Sequence, residues 1–182
     1  MSIVAIVASP RKKGNTNKII EAMAEGAKKN GKDVKIYHLN ALTNAKGCQA
    51  CMACKTSVGC AVKDDNGEIL KAIRDCEGLI LSTPNYFGEA SGQFRLLQDR
   101  FYSFIGADFV PNIEPKKLVV VVSCGGPAAG GDALADKIEG SMVKYFKFEP
   151  IARMVIPNAT PIDTVANDPE ILEKAAAIGK KF

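Results

Sequence analysis

Short, almost wholly apolar runs recur along this chain between segments of helical periodicity, and that alternation narrows the possible folds more than any other feature. Ile3 to Ala8, Leu79-Ile80-Leu81 and Leu118 to Val122 have the length of strands and scarcely any polar face, as strands covered on both sides require. Strands alternating with helices build βαβ units, hence a parallel sheet flanked by helices. The spacing predicts strands near 2–8, 33–39, 78–83, 117–123 and 151–156, and helices near 16–29, 66–75, 91–105, 132–147 and 168–181. A chain of 182 residues with 47% hydrophobic content can bury a full core, and residues 1–182 are read as a single domain.

Asp33 to Leu39 and Ile151 to Ile156 differ from the other runs in carrying polar side chains at intervals, the mark of partly exposed edge strands. A strand order of 2-1-3-4-5 puts these two outermost and the apolar three inside. That is the flavodoxin-like, doubly wound α/β arrangement: a five-stranded parallel sheet with helices on both faces. In such sheets ligands sit beyond the carboxyl ends of the strands where the winding reverses, which singles out the loops after the first and third strands.

The first of these loops, Ser9-Pro10-Arg11-Lys12-Lys13-Gly14-Asn15-Thr16-Asn17, is rich in hydroxyls, amides and positive charge and leads into a helix, a combination suited to a phosphate. It lacks the Gly-Lys-Thr ending of a P-loop. The competing reading is a capped helix with a solvated basic turn. The second loop reads Thr83-Pro84-Asn85-Tyr86-Phe87-Gly88, and its adjacent aromatics suit stacking on a planar ring, or else plug the end of the sheet. After the fourth strand, Ser123-Cys124-Gly125-Gly126 adds glycines that let backbone approach a ligand. No Gly-x-Gly-x-x-Gly fingerprint occurs, so a mononucleotide with an aromatic ring system fits the three loops better than a dinucleotide.

Between the second strand and second helix, residues 47–60 hold Cys48, Cys51, Cys54 and Cys60 in the pattern Cys-x-x-Cys-x-x-Cys-x5-Cys. Two-residue spacers let thiolates converge on one inorganic centre, as in ferredoxins, and the longer spacer lets the fourth reach back to a [4Fe-4S] cluster. A structural zinc site more often uses two separated knuckles, and disulfides are disfavoured in a reducing compartment. Bare thiols are the remaining reading. The loop leaves the same sheet edge as the proposed nucleotide site. Lys46 and Lys55 could offset an anionic cluster or be ordinary surface lysines.

The net charge of +4 is dispersed, without a basic arm, which argues against nucleic acid. No stretch approaches the roughly 20 apolar residues of a membrane span, and a cytoplasmic location is expected. A lone histidine, His38, makes a Ser/His or Cys/His hydrolase improbable. Asp64 and Asp65 precede a helix, where Asp ordinarily caps; Cys76 reads as core, and Cys124 as a thiol near the proposed site with a redox role left open. Phe94, Leu97, Phe101 and Phe104 follow helical spacing and are expected in the core. Asp168 followed by Pro169 reads as the cap and first turn of the last helix.

Ser9-Pro10-Arg11 with Gly14-Asn15-Thr16, the cysteine loop leading to Lys63-Asp64-Asp65, and Thr83-Pro84-x-Tyr86-Phe87-Gly88 together resemble the iron–sulfur flavoprotein family within the NAD(P)H-dependent FMN reductases, over essentially the whole chain. The resemblance implies FMN and one [4Fe-4S] cluster per subunit, a homodimer or homotetramer, and electron exchange with ferredoxin or another small redox partner and with small-molecule oxidants. The resemblance also allows NAD(P)H as a transient substrate. By the same resemblance, Ser9, Arg11, Asn15, Thr16 and Asn17 would hold the FMN phosphate. Pro84, Asn85, Tyr86, Phe87 and Gly88 would line the isoalloxazine with Ser123, Gly125 and Gly126, and Cys48, Cys51, Cys54 and Cys60 would bind the cluster. Asn85 and Arg95 depart from the residues many relatives carry, and Asn85 could reach the polar edge of the flavin. Two alternatives stand beside this reading: an NAD(P)H-dependent FMN or quinone reductase whose cysteines hold no cluster, and a non-enzymatic carrier.

Overall fold

The computed structural model describes residues 2–182. Its sheet is built from β1 (Ser2–Val7), β2 (Asp33–His38), β3 (Gly78–Tyr86), β5 (Lys117–Ser123) and β6 (Glu149–Ile156), all parallel, in the order β2-β1-β3-β5-β6. A two-residue strand, β4 (Glu89–Ala90), pairs antiparallel with the end of β3. Counted without β4, the long strands follow the expected 2-1-3-4-5 order, and the fold is flavodoxin-like.

The period-2 alternation of side chains sorts the core onto two faces. Val4, Ile6, Leu81, Leu118, Val120 and Val122 meet α2 (Asn66–Asp75), α3 (Gly92–Arg100) and α4 (Ala128–Phe146). Ile3, Ala5, Val7, Ile80, Val119 and Val121 meet α1 (Asn15–Lys29) and α5 (Pro169–Gly179). Phe94, Leu97, Phe101 and Phe104 are all buried on the first face, as their spacing predicts, and Cys76 joins them. The central strands are sealed on both faces while β2 is only partly covered, which matches the edge assignment. Helices α1 and α5 touch backbone to backbone: a Cβ on Gly26 would stand 2.0 Å from the Ala176 carbonyl oxygen, and one on Gly179 would stand 2.0 Å from that of Met23.

The larger differences from the expected boundaries each have a local reason. β3 runs on to Tyr86 because β4 folds back on it. β6 starts earlier, at Glu149; Pro150 is tolerated because this is an edge strand, and the register shifts opposite Leu118 and Val119. Helix α4 begins at Ala128 and so includes two glycines expected in the loop. At Gly131 a Cβ would stand 2.4 Å from Val155 Cγ1, so tight helix–sheet packing overrides weak helix propensity. The predicted helix over 91–105 becomes α3 followed by a 3-10 turn, Phe101–Phe104.

Asp168 caps α5 by accepting from the Ile171 N–H, with Pro169 in the first turn as expected. Asp64 and Asp65 do not cap α2. Asp65 Oδ2 accepts from the N–H groups of Thr43 and Asn44, and Asp64 Oδ2 from that of Lys46, so this pair ties the chain ahead of the cysteine loop to the chain behind it.

Candidate functional site

A cleft of about 200 Å³ opens at the carboxyl ends of β1, β3 and β5. Ser9, Arg11, Asn15 and Thr16 line it from the first loop, Pro84, Asn85 and Tyr86 from the second, and Ser123, Cys124 and Gly125 from the third. Three loops separated by many tens of residues thus converge at the winding reversal. Ala159 and Thr160, in the connection after β6, complete the wall. Nothing in the composition of that connection marks it as a wall, although it too leaves the carboxyl edge of the sheet.

The phosphate-like end is built on α1. The helix starts after Gly14 with no side-chain cap and no acidic residue in its first turn, so its free N–H groups and dipole are not neutralised from within. The structure separates the five residues expected there by what they are free to do, and Ser9 Oγ accepts from the Arg11 N–H at 3.3 Å. Arg11 Nη1 donates to the Thr160 carbonyl at 2.8 Å, and the Thr16 and Ser123 hydroxyls share a 2.9 Å hydrogen bond. Asn15 is fully engaged: Nδ2 donates to the carbonyls of Ala159 (3.0 Å) and Pro161 (2.6 Å), and Oδ1 accepts from the Val165 N–H (3.0 Å). Its amide is spent on holding the 159–165 segment against the cleft. Asn17 turns its Nδ2 to Glu21 Oε1 at 2.6 Å and lines an adjoining cavity of about 630 Å³ with Lys12, Lys13, Lys18 and His38.

At the ring-like end, Phe87 and Gly88 form the two-residue turn between β3 and β4, with φ of 55° and 82°. Positive φ at both central positions is the type I′ hairpin geometry. Asn85 buttresses it, accepting from the Gly88 N–H at 2.9 Å and donating to the Gly130 carbonyl at 2.8 Å. The Asn85 amide is therefore engaged with backbone on both sides. The turn leaves Tyr86 half-exposed and Phe87 wholly exposed, an unusual placement for two aromatics beside a cleft. Phe87, Gly88 and Gly126 stand outside the enclosed part of the cleft. Cys124 lines it, yet its buried thiol faces the carbonyls of Gly126, Pro127 and Ile156, and burial pushes its pKa up, which marks an unreactive thiol.

The residues fit an FMN-like ligand on these observations: an uncapped helix start with Arg11 and hydroxyls for a phosphate, and exposed aromatics for a planar ring. The enclosed volume is smaller than the roughly 300–1,000 Å³ of whole-ligand pockets, so the cleft itself holds only part of such a molecule.

All six cysteines are free. In the 47–60 loop Cys48 and Cys51 are exposed, Cys60 is partly covered and Cys54 is buried. As folded, no three His, Cys, Asp or Glu side chains among the described residues gather into a metal-binding group. The loop is nonetheless organised. Ala50 and Met52 take positive φ, the Ala50 N–H donates to Cys48 Sγ, and Lys55 Nζ bonds the Tyr102 and Ile105 carbonyls while lying over the Tyr102 ring. In number and chemistry four free thiols in one segment fit a thiolate-ligated centre.

One residue at this loop escaped the sequence reading. Arg100, on α3, has no side-chain exposure and forms an ion pair with the equally buried Asp64 at 2.8 Å. The signal was available, since position 100 falls on the stripe set by Phe94, Leu97, Phe101 and Phe104, where a charge is out of place.

Comparison with known proteins places these features in a family. The model for NADPH-dependent FMN reductase matches residues 1–160. The iron-sulfur flavoprotein of Methanosarcina thermophila is 34% identical over 131 residues, covering 72% of this chain and 66% of that protein. One from Methanocaldococcus jannaschii is 34% identical over 100 residues, 55% of this chain and 51% of its own length. The match thus spans about half the length of that relative. Among solved structures, the NAD(P)H:quinone oxidoreductase from Methanothermobacter marburgensis superposes with a TM-score of 0.79 at 17% identity, covering 100% of this chain and 95% of that one. No helix among the described residues is long and apolar enough to cross a membrane. The sheet, its cleft and the match over most of the chain agree, and the chain belongs to the NADPH-dependent FMN reductase family of flavin-dependent oxidoreductases.

Proposed function

We propose that this protein moves electrons between a small redox donor such as ferredoxin and an acceptor, as one domain that holds FMN in the cleft and a [4Fe-4S] cluster on the 47–60 loop. FMN exchanges electrons singly or in pairs and a [4Fe-4S] cluster exchanges them singly, so together they join one-electron donors to two-electron acceptors. The protein's part is to bind, orient and shield. Ser9, Arg11, Thr16 and the α1 N-terminus bind the phosphate, with Asn15 fixing the wall behind them and Asn17 in the second rank. Pro84, Asn85, Tyr86, Phe87 and Gly88 bound one side of the ring and Ser123, Gly125 and Gly126 the other. Cys48, Cys51, Cys54 and Cys60 are the cluster ligands.

The observation that carries the reading is four free thiols in one short loop on the sheet edge that also bears the cleft. Relatives named iron-sulfur flavoprotein support it. The partial enclosure of the cleft and the exposed Tyr86 and Phe87 beside it support a homodimer or homotetramer, in which a second copy would cover them. The test is iron, sulfide and flavin analysis of anaerobically purified protein, with Cys54→Ser alongside. Iron and sulfide in comparable amounts beside FMN are expected, lost in the variant while FMN stays. A flavin-replete preparation without iron would sink the cluster assignment. The second reading, an NAD(P)H-dependent FMN or quinone reductase without a cluster, is favoured by the unassembled cysteines. Rapid bleaching of the flavin by NADPH in iron-free protein would select it.

A further inference from the structure

Burying an arginine is costly unless its charge and its N–H groups are all answered, so the side chain of Arg100 calls for an account. Its guanidinium makes a fan of bonds inside the protein. Nη1 reaches the Lys46 carbonyl at 2.9 Å and Asp64 Oδ2 at 2.8 Å, and Nη2 reaches the Val62 carbonyl at 3.0 Å. These partners flank the cysteine loop on both sides. A single planar group on α3 therefore clasps the two ends of the segment, and Asp64, which also accepts from the Lys46 N–H, completes the clasp.

The remaining bond does not serve that purpose. Arg100 Nε donates to Cys60 Sγ at 3.1 Å. Closing the loop needs only the carbonyls and the carboxylate, and a neutral thiol is a weak acceptor on which to spend a charge-assisted donor. A sulfur that carries the negative charge of a metal-bound thiolate is a strong one. Hydrogen bonds to cluster sulfurs favour the reduced, more negative form, because they strengthen as charge builds on the sulfur.

We infer that Arg100 is a positioning residue for the fourth thiolate: it fixes Cys60 at the closed base of the loop and, through its Nε–H, raises the reduction potential of a cluster bound there. The inference rests on the cluster reading above. One electron enters the cluster on reduction, and the proton of the Nε–H···S bond stays on the nitrogen throughout. Arg100 does not line the cleft, so FMN content serves as the control for an effect at the loop.

The test compares anaerobically reconstituted wild type with Arg100→Lys, which keeps the charge but loses the fork and its Nε–H. A potentiometric titration followed by paramagnetic resonance should show the one-electron equilibrium displaced about tenfold toward the oxidised cluster, about 59 mV lower, with FMN content and circular dichroism unchanged. An iron-replete Arg100→Lys protein at the wild-type potential overturns the inference and leaves the cluster reading intact. A measurement without mutation decides the matter if the variant does not fold. Wild-type protein labelled with 15N-arginine should show hyperfine coupling between the reduced cluster and an arginine nitrogen, and its absence overturns the inference equally. Wild-type protein that takes up no iron under reconstitution sinks the cluster reading itself, and this inference with it.

Discussion

Replacing Asn15 with alanine separates the scaffold of the cleft from its ligand-binding groups. The amide makes three hydrogen bonds to the 159–165 segment and lies 5% exposed. Of its partners, the carbonyls of Ala159 and Pro161 lie toward the cleft rim and can be rehydrated, whereas Val165 is 0% exposed and its N–H is left without an acceptor. A net hydrogen bond is worth about 1 kcal/mol and an orphaned buried group costs about 1–3, so the loss should total about 2–3 kcal/mol. In a domain of this size that lowers the melting temperature by about 4–12 °C. Because the loosened segment carries Ala159 and Thr160, FMN affinity should fall as well. Urea denaturation of the flavin-free protein gives the first quantity and fluorescence titration with FMN the second. Asn30→Ala is the control, since Asn30 makes one exposed bond to the Lys180 carbonyl and should change stability by less than about 0.5 kcal/mol. If Asn15→Ala proved no more destabilising than that control, the assignment of Asn15 to the scaffold would be wrong.

Asn85→Ala should weaken FMN binding while costing little global stability, because it frees the Phe87–Gly88 turn from α4; the two are read by titration and urea midpoint. Phe87→Asn should raise the melting temperature of flavin-free protein, relieving about 1 kcal/mol of left-handed strain at no packing cost, and should lower FMN affinity. Gly26→Ala and Gly179→Ala should each destabilise by about 1–3 kcal/mol or more in thermal denaturation, since each added methyl meets the opposite helix backbone. Burial holds the Cys76 and Cys124 thiols above their ordinary range. Above about pH 8.5 the unfolded chain therefore releases thiol protons that the native state keeps, and stability should decline from there upward. Urea midpoints between neutral pH and pH 10 test this, with Cys124→Ala flattening the decline.

The sheet was legible because β1, β3 and β5 are apolar on both faces and β2 and β6 are not, a contrast that burial alone imposes. The three loops of the cleft followed from that order, since topology dictates where winding reverses. Ala159 and Thr160 were not legible, because nothing in their composition separates a wall from a connection; what binds them is the reach of Asn15 across the fold. The same non-local engagement explains why Asn15 and Asn85 look like ligand donors in sequence and turn out to be bonded to backbone. The hairpin at Phe87 escaped because phenylalanine is a poor candidate for positive φ, and tertiary context overrode the local preference. Asp64 and Asp65 misled in the opposite way: their position before a helix suggested a cap, while their partners lay about twenty residues upstream.

The clasp formed by Arg100 and Asp64 also bears on how such a domain can change over generations. An excursion whose two ends are already fastened costs the remainder of the fold little when it is lengthened, trimmed or given new side chains, because the entropy of closing it varies only slowly with its length. Descendants of one scaffold could exchange an inorganic cargo for a plain surface turn without disturbing the sheet, so long as the fastening is kept.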